Sequence, residues 1–304
     1  MNKAVKIDLD SDDKKSLLGC FNNIGTIIAV MSGKGGVGKS TVSSLLAVEL
    51  KRHGYAVGIL DADITGPSIP KAFGLQGVQP LSSQFGMEPP ITSSGIKVIS
   101  INMFLPNEDD PVVWRGPLLA GAVEQFYNES NWADLDLLVV DLPPGTGDVP
   151  LTVLQSMPIT GIVLVTSPQD MVGMVVKKSA KMATAIGTSI IGVVENMNSA
   201  ICPCCGEKMA LFGQATPENT EELLGVPFLG GVPWDIKMTR AMDTGKLEEY
   251  RFKEFEAVMK NILNREIYQR KYRKRAVGKA SEPFNPEPKY IGRVFKKFMY
   301  NDKN

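Results

Sequence analysis

Histidine is almost absent from this sequence of 304 residues, which contains a single one, His53. Catalysis by a histidine-activated nucleophile and metal sites built from several histidines are therefore poor hypotheses, and we expect His53 to be a solvated residue at a helix end. Long apolar runs are also absent, since no stretch approaches the roughly 20 residues that span a bilayer. Residues 1–13 lack the apolar core of a secretory signal. These absences predict a cytoplasmic protein.

Cysteine is scarce and unevenly placed. The sequence contains four, and three of them fall close together: Cys20, Cys202, Cys204 and Cys205. This clustering suits a metal site in a reducing compartment better than a disulfide framework. The spacing of Cys202 and Cys205 alone favours structural zinc, but it also fits an iron–sulfur cluster, whose four thiolates would require a second chain. We expect Cys20 to be inert and Cys204 to be a bystander.

The net charge of zero conceals a basic C-terminal segment. Residues 265–304 contain 12 lysines and arginines and 4 acidic residues, so the rest of the chain is acidic. Within residues 290–300, apolar side chains recur at helical spacing with basic side chains on the other face, which predicts a basic amphipathic helix. Such a helix can lie on an anionic membrane, and the basic cluster at 273–275 could contact nucleic acid. The favoured interpretation is that this helix packs against the protein's own domain or its dimer partner, or is solvated.

Glycines dominate the segment that follows the first strongly apolar run. Residues 33–41 match the phosphate-binding pattern G-x-x-x-x-G-K-[ST], with an additional lysine, Lys34, after the first glycine. Glycines allow backbone N–H groups to surround an anion, Lys39 would reach the β- and γ-phosphates, and Ser40 would bind Mg²⁺. The predicted nucleotide-binding residues are Gly33, Lys34, Gly35, Gly36, Val37, Gly38, Lys39, Ser40 and Thr41.

Apolar runs typical of strands alternate with helical patterns through the first 230 residues. The predicted strands are 27–31, 57–61, 97–101, 137–141, 161–166, 190–195 and 226–229. The predicted helices are 41–52, 117–126, 149–157, 171–186, 217–224, 237–244 and 249–264. This alternation predicts an α/β fold with a mainly parallel sheet and helices on both faces. We expect three parts, which are a short N-terminal lead (1–23), a P-loop ATPase domain (24–266) and the basic tail (267–304).

Carboxylates follow two of the predicted strands. Asp61 and Asp63 come at the end of the strand at 57–61, on the same side of the chain, and Asp141 ends the strand at 137–141. Ligands of parallel sheets bind at the carboxyl ends of the strands. A carboxylate beside a phosphate-binding loop is typical of Mg²⁺ coordination, direct or through water. One of these acids alone could merely cap the next element, but together they predict a Mg²⁺ site.

The order of these motifs resembles one protein family. The doubled-lysine loop is followed by D-x-D-x-x-G-P-S at 61–68, W-R-G-P at 114–117, D-L-P-P-G-T-G-D at 141–148, E-N-M at 195–197 and C-P-C-C at 202–205. The chain is thereby similar to the Mrp/NBP35 family, whose members are iron–sulfur cluster carrier ATPases of the deviant-Walker-A group. The resemblance implies a P-loop NTPase fold like that of MinD and the nitrogenase iron protein.

The resemblance also implies roles for residues of the nucleotide site. Lys34 would reach across a dimer interface to the ATP of the partner subunit, Asp63 would position the attacking water, and Asp141 would act on Mg²⁺. With Lys39, these are the expected catalytic residues. The expected Mg²⁺ residues, direct or through water, are Ser40, Asp63 and Asp141.

Further implied roles fall near the end of the similar region. Asn196 would recognise adenine, helped by the backbone around Pro233 and Asp235. Cys202 and Cys205 would hold one [4Fe–4S] cluster jointly with the same pair of a second subunit, which reverses the preference for zinc. We therefore expect a homodimeric, slowly hydrolysing ATPase that transfers the cluster to apo iron–sulfur proteins and works with a cluster assembly scaffold.

Two other hypotheses stay open. A MinD- or ParA-like positioning ATPase would use ATP-driven dimerisation to bind membrane or DNA. The basic tail favours it weakly, and the cysteine motif argues against it. A regulatory ATPase with structural zinc would use the cysteines but carry no cluster.

Overall fold

A mainly parallel sheet lies at the centre of the computed structural model, which describes residues 22–63, 68–105, 116–168, 174–202, 204–210 and 225–264. The strands are β1 (Asn23–Ser32), β2 (Val57–Asp61), β3 (Leu81–Ser83), β4 (Gly86–Glu88), β5 (Lys97–Ser100), β6 (Asp134–Asp141), β7 (Gly161–Thr166), β8 (Ile190–Ile201), β9 (Lys208–Met209) and β10 (Phe228–Trp234). The helices are α1 (Lys39–Arg52), α2 (Ser68–Ala72), α3 (Gly116–Glu129), α4 (Asp148–Ser156), α5 (Met174–Ile186), α6 (Ile236–Asp243) and α7 (Lys253–Leu263).

Seven strands of the described residues run parallel, in the order β10-β8-β7-β1-β6-β2-β5. The short β9 pairs antiparallel with the end of β8, and β3 and β4 form a separate antiparallel hairpin. The central position of β1 places the loop that follows it in the middle of the carboxyl edge of the sheet. The predicted α/β class with a mainly parallel sheet is therefore confirmed.

Both faces of the sheet are covered by helices. Alternate residues of β1 belong to two apolar clusters, with Ile28 and Val30 packed among side chains of α1 and α7 and Ala29 and Met31 among side chains of α3 and α4. Burial on both faces explains why β1 is a continuous apolar run rather than an alternating one. His53 follows the last residue of α1 and is exposed, as predicted. In the part of the chain that the structure describes, no helix has both the length and the apolar character that a membrane crossing requires.

Five of the seven predicted strands differ from the prediction in their bounds. β1 spans Asn23–Ser32 instead of 27–31, β5 spans Lys97–Ser100 instead of 97–101, and β6 spans Asp134–Asp141 instead of 137–141. β8 continues to Ile201 instead of ending at residue 195, and β10 spans Phe228–Trp234 instead of 226–229. The prediction followed the apolar runs, whereas the polar residues after Val194 continue the strand because their main chains pair with β10. The helix predicted at 217–224, the first residues of the one at 171–186, Cys20 and the basic tail lie outside the described residues.

The carboxyl edge of the sheet gathers polar side chains. Asp61 of β2 lies in register between Ser100 of β5 and Asp141 of β6, and Asp141 lies in register with Val30 of β1. All three polar residues are buried. The edge next to the glycine-rich loop is therefore built from adjacent strand ends.

Candidate nucleotide site and cysteine hairpin

The glycine-rich loop connects β1 directly to α1, with Gly38 at the N-terminal cap of the helix. Gly38 has a φ of 79°, which residues with a Cβ rarely adopt. A Cβ at this position would also lie 2.1 Å from Nδ2 of Asn196. Glycine is therefore required here both for the backbone conformation and for the close approach of β8 to the loop.

Lys39 lies at the centre of a buried polar cluster. Its Nζ lies 2.8 Å from Oδ2 of Asp141 and 3.1 Å from Oδ2 of Asp63. Ser40 and Ser43 each donate a hydrogen bond of 2.6 Å to the Asp141 carboxylate. Burial lowers the pKa of Lys39, but the negative charges of Asp141 and Asp63 outweigh it and raise the pKa above its usual value. Lys39 is therefore a fixed cation at the start of α1.

The donor atoms around Lys39 fit a magnesium ion. Ser40, Asp63 and Asp141 present hydroxyl and carboxylate oxygens, which are the ligands that Mg²⁺ prefers, beside a loop of backbone N–H groups. These three residues would hold the ion directly or through water. When bound, Mg²⁺ neutralises the charge that develops on a transferring phosphoryl group.

A cleft of about 500 Å³ opens beside this cluster. One side of the cleft is polar and consists of residues from the loop, α1 and the end of β2: Gly35, Gly36, Lys39, Ser40, Thr41 and Asp63. Another part contains a tryptophan and three methionines from β8, β10 and α6, together with three polar residues of the same elements: Met197, Trp234, Met238 and Met242, with Asn196, Thr239 and Asp243. Such a division suits a ligand with an anionic end and a flat, apolar end.

Asn196 connects the two parts of the cleft. Its Nδ2 donates a hydrogen bond of 2.9 Å to the carbonyl oxygen of Val37, while its buried Oδ1 has no hydrogen-bond partner among the described residues. A buried acceptor without a partner is costly in free energy. A ligand with an amino group, such as adenine, would satisfy it.

The other predicted nucleotide residues occupy varied positions. Lys34 is exposed in the loop, and Pro233 is buried at the end of β10. The Asp235 carboxylate caps α6 by accepting a hydrogen bond of 2.7 Å from the N–H of Lys237, and it accepts a second from the Tyr250 hydroxyl. The side chain of Asp235 thus has a structural role, and the contribution of its backbone to base recognition stays a prediction.

Trp234 and the methionines of the cleft were missed from the sequence. Trp234 is 38% exposed although it belongs to β10. The available signal was the position of Trp234 immediately after Pro233, at the carboxyl end of the last strand. Ser43 was missed as well, although it lies one helical turn after Lys39 and therefore on the same face of α1.

The predicted cysteine site is a hairpin turn between β8 and β9. Cys202 donates its N–H to the carbonyl oxygen of Glu207 at 2.9 Å, and Gly206 donates its N–H to the carbonyl oxygen of Cys202 at the same distance. Cys202 is half-buried, Cys204 and Cys205 are exposed, and all three are free thiols. Hydrogen bonds from the main chains of Cys205 and Cys204 lower the pKa of the Cys202 thiol. The turn thus favours the thiolate, which is the form that binds metals.

The comparison with known proteins gives a consistent family. The model of the NUBPL iron-transfer P-loop NTPase family matches residues 23–267. An iron–sulfur cluster carrier protein of Clostridium perfringens is 46% identical over 237 residues, which cover 76% of this chain and 83% of the relative. These matches confirm the resemblance to the Mrp/NBP35 carriers.

Solved structures agree with this result. A nucleotide-binding protein of Archaeoglobus fulgidus in complex with ADP is 42% identical, with a TM-score of 0.70 over 81% of this chain and 96% of that one. MinD of Pyrococcus horikoshii complexed with Mg-ADP shares the fold at a TM-score of 0.56, over 79% of this chain and 95% of that one, with 20% identity. The chain therefore belongs to the NUBPL iron-transfer family of P-loop NTPases.

Proposed function

We propose that this protein carries an iron–sulfur cluster on its cysteine hairpin and uses ATP binding and hydrolysis to control the transfer of that cluster. One observation carries the proposal. β8 is one strand, with a register shift against β10 after Asn196, that contacts the phosphate-binding loop through Asn196 and reaches Cys202 just after its end. A shift of the loop on nucleotide binding would therefore act on the hairpin through a single element.

The cargo follows from the thiols and from the relatives. A [4Fe–4S] cluster is held by four thiolates, and the C-P-x-C pattern supplies Cys202 and Cys205 from one chain. Two copies of the chain would complete the set, so we infer a homodimer with the cluster between the two hairpins. The Clostridium perfringens relative is named as a cluster carrier, which supports this cargo over structural zinc. Cys204 would remain a bystander.

The nucleotide chemistry follows from the Lys39 cluster. We infer that ATP binds with its phosphates in the loop and its base beside Asn196 and Trp234. Asp63 would orient the attacking water, and Lys39 would neutralise the developing charge on the γ-phosphate together with Lys34 of a second copy. Turnover would be slow, because nucleotide binding and hydrolysis switch the protein between conformations and do not drive a rapid catalytic cycle.

The partners follow from the cargo. A carrier must receive its cluster from an assembly scaffold and give it to apo iron–sulfur proteins. We propose the cytoplasm as the location, since free thiols such as those of the hairpin persist where the compartment is reducing.

Anaerobic reconstitution with iron and sulfide tests the proposal. The protein should gain about four irons and four sulfides per dimer with a visible absorption band. Cys202→Ala/Cys205→Ala should lose both, while Cys204→Ala serves as the matched control and should keep them. Tightly bound zinc without a chromophore would contradict the proposal and favour the structural-metal hypothesis.

A further inference from the structure

Three buried polar residues beside the nucleotide site are not assigned to nucleotide or Mg²⁺ binding by the proposed function. Asp61 and Ser100 end the neighbouring strands β2 and β5, and Asn102 follows in the 3-10 turn at Ile101–Phe104. Their exposed fractions are 1%, 0% and 5%. Burial of this many polar groups costs free energy unless each is hydrogen-bonded, so their contacts indicate what they stabilise.

The contacts converge on the main chain of Asp63. The N–H of Asp63 donates to Oδ1 of Asp61 at 3.1 Å, and Nδ2 of Asn102 donates to the carbonyl oxygen of Asp63 at 3.3 Å. β2 ends at Asp61, and the N–H of Ala62 still donates a hydrogen bond of 2.9 Å to the carbonyl oxygen of Asp141 in β6. Asp63 is the next residue along the chain. The side chains of Asp61 and Asn102 position the N–H and the carbonyl oxygen of Asp63.

Ser100 joins the other two members. Its Oγ donates a hydrogen bond of 2.8 Å to Oδ2 of Asp61 and accepts one of 3.3 Å from the N–H of Asn102. The second of these bonds caps the 3-10 turn and would be expected of any serine at that position. The hydrogen bond from the Asn102 side chain to the carbonyl oxygen of Asp63 is not needed to cap the turn. It therefore indicates that Asn102 also holds the main chain of Asp63 in place.

We propose that Asp61, Ser100 and Asn102 form a positioning network that fixes the main chain of Asp63 and thereby aims its carboxylate for ATP hydrolysis. The proposal rests on the role inferred above for Asp63. The carboxylate of Asp63 lies 3.1 Å from Nζ of Lys39, so its position relative to the phosphates depends on the network. Because a misplacement of about 1 Å can cost roughly 100-fold in rate, three residues that do not line the cleft can control hydrolysis.

Single-turnover hydrolysis of ATP by the full chain tests the network. Asn102→Ala should slow hydrolysis about 10- to 100-fold while the affinity for ADP stays within about twofold, since the network does not line the cleft. Asp61→Asn keeps an oxygen that accepts the N–H of Asp63, so it should lose less activity than Asp61→Ala.

A matched control separates positioning from stability. Asn261 of α7 donates a hydrogen bond of 2.9 Å to the carbonyl oxygen of Leu229, far along the chain from the network. Asn261 is exposed, so Asn261→Ala tests the loss of one side-chain hydrogen bond away from the network, with its stability measured by urea unfolding, and it should leave hydrolysis within about twofold.

A double-mutant cycle identifies the residue through which the network acts. Asn102→Ala should have no further effect on hydrolysis when Asp63 is already alanine. An equal loss in both backgrounds, or hydrolysis unchanged by Asn102→Ala, would overturn the network and leave the carrier function intact. Absence of hydrolysis by the unaltered chain would overturn both the network and the inferred ATPase activity, whereas cluster binding is measured separately.

Discussion

Replacement of Lys39 by alanine should lower the free energy of unfolding of this protein, independently of its effect on nucleotide binding. Asp141 is fully buried, and Lys39 supplies its positive partner at 2.8 Å. Truncation of one partner of a buried ion pair leaves an uncompensated charge and costs about 3–5 kcal/mol. For a domain of this size, that loss corresponds to a decrease of about 6–20 °C in the melting temperature.

Urea and thermal unfolding without nucleotide measure this effect. Lys71→Ala is the matched control, because Lys71 pairs with Asp243 at the same 2.8 Å but both side chains are exposed. Exposed pairs contribute at most about 1 kcal/mol. Asp141→Asn added to Lys39→Ala should recover much of the lost stability, since the buried charge is then removed. Equal melting temperatures for Lys39→Ala and Lys71→Ala would refute the reasoning.

Three further predictions concern the same edge of the sheet. Burial and, as a second cause, the negative charge of Asp141 raise the pKa of Asp61. Asp61 therefore stabilises the fold less as the pH rises through that pKa. The increase in urea midpoint that Asp61→Asn gives over the unaltered chain should grow from pH 5 to pH 8. ADP should change the fluorescence of Trp234 if the base stacks on it, and Trp234→Ala should weaken ADP binding about 5- to 50-fold; an unaltered affinity in calorimetry would contradict base stacking. Gly38→Ala should reduce ADP affinity at least about tenfold because the added Cβ would displace Asn196. Gly54 also has a positive φ, of 88°, but open space where a Cβ would lie, so Gly54→Ala should lower only stability. Equal ADP affinities of the two variants would count against this role of Gly38.

Local patterns predicted the elements that support the site. β2 and β7 have the predicted bounds because each is a short apolar run buried on both faces. The phosphate-binding loop was evident because its glycines, which the backbone conformation requires, can be read directly from the sequence. The end of β6 at Asp141 was found for the same reason, since an acid terminates an apolar run.

Long-range contacts could not be predicted in this way. The network of Asp61, Ser100 and Asn102 depends on the pairing of β2 with β5, which lie about 40 residues apart in the chain and carry no shared local signal. The extension of β8 to the cysteines was missed because polar residues interrupt the apolar run after Val194, and the residues up to Ile201 are held in the strand by pairing with β10 and β9. Sequence patterns therefore located the site, while its internal geometry required the tertiary structure.

Transfer of the cluster is the most direct test of the account. The reconstituted protein should be mixed anaerobically with an apo-protein that requires a [4Fe–4S] cluster for its activity, in the presence of a chelator that removes free iron. The account predicts that activity returns with the protein as donor and not with Cys202→Ala/Cys205→Ala. Recovery that is no faster than with free iron and sulfide, or that the chelator abolishes, would contradict the role of this protein as a carrier.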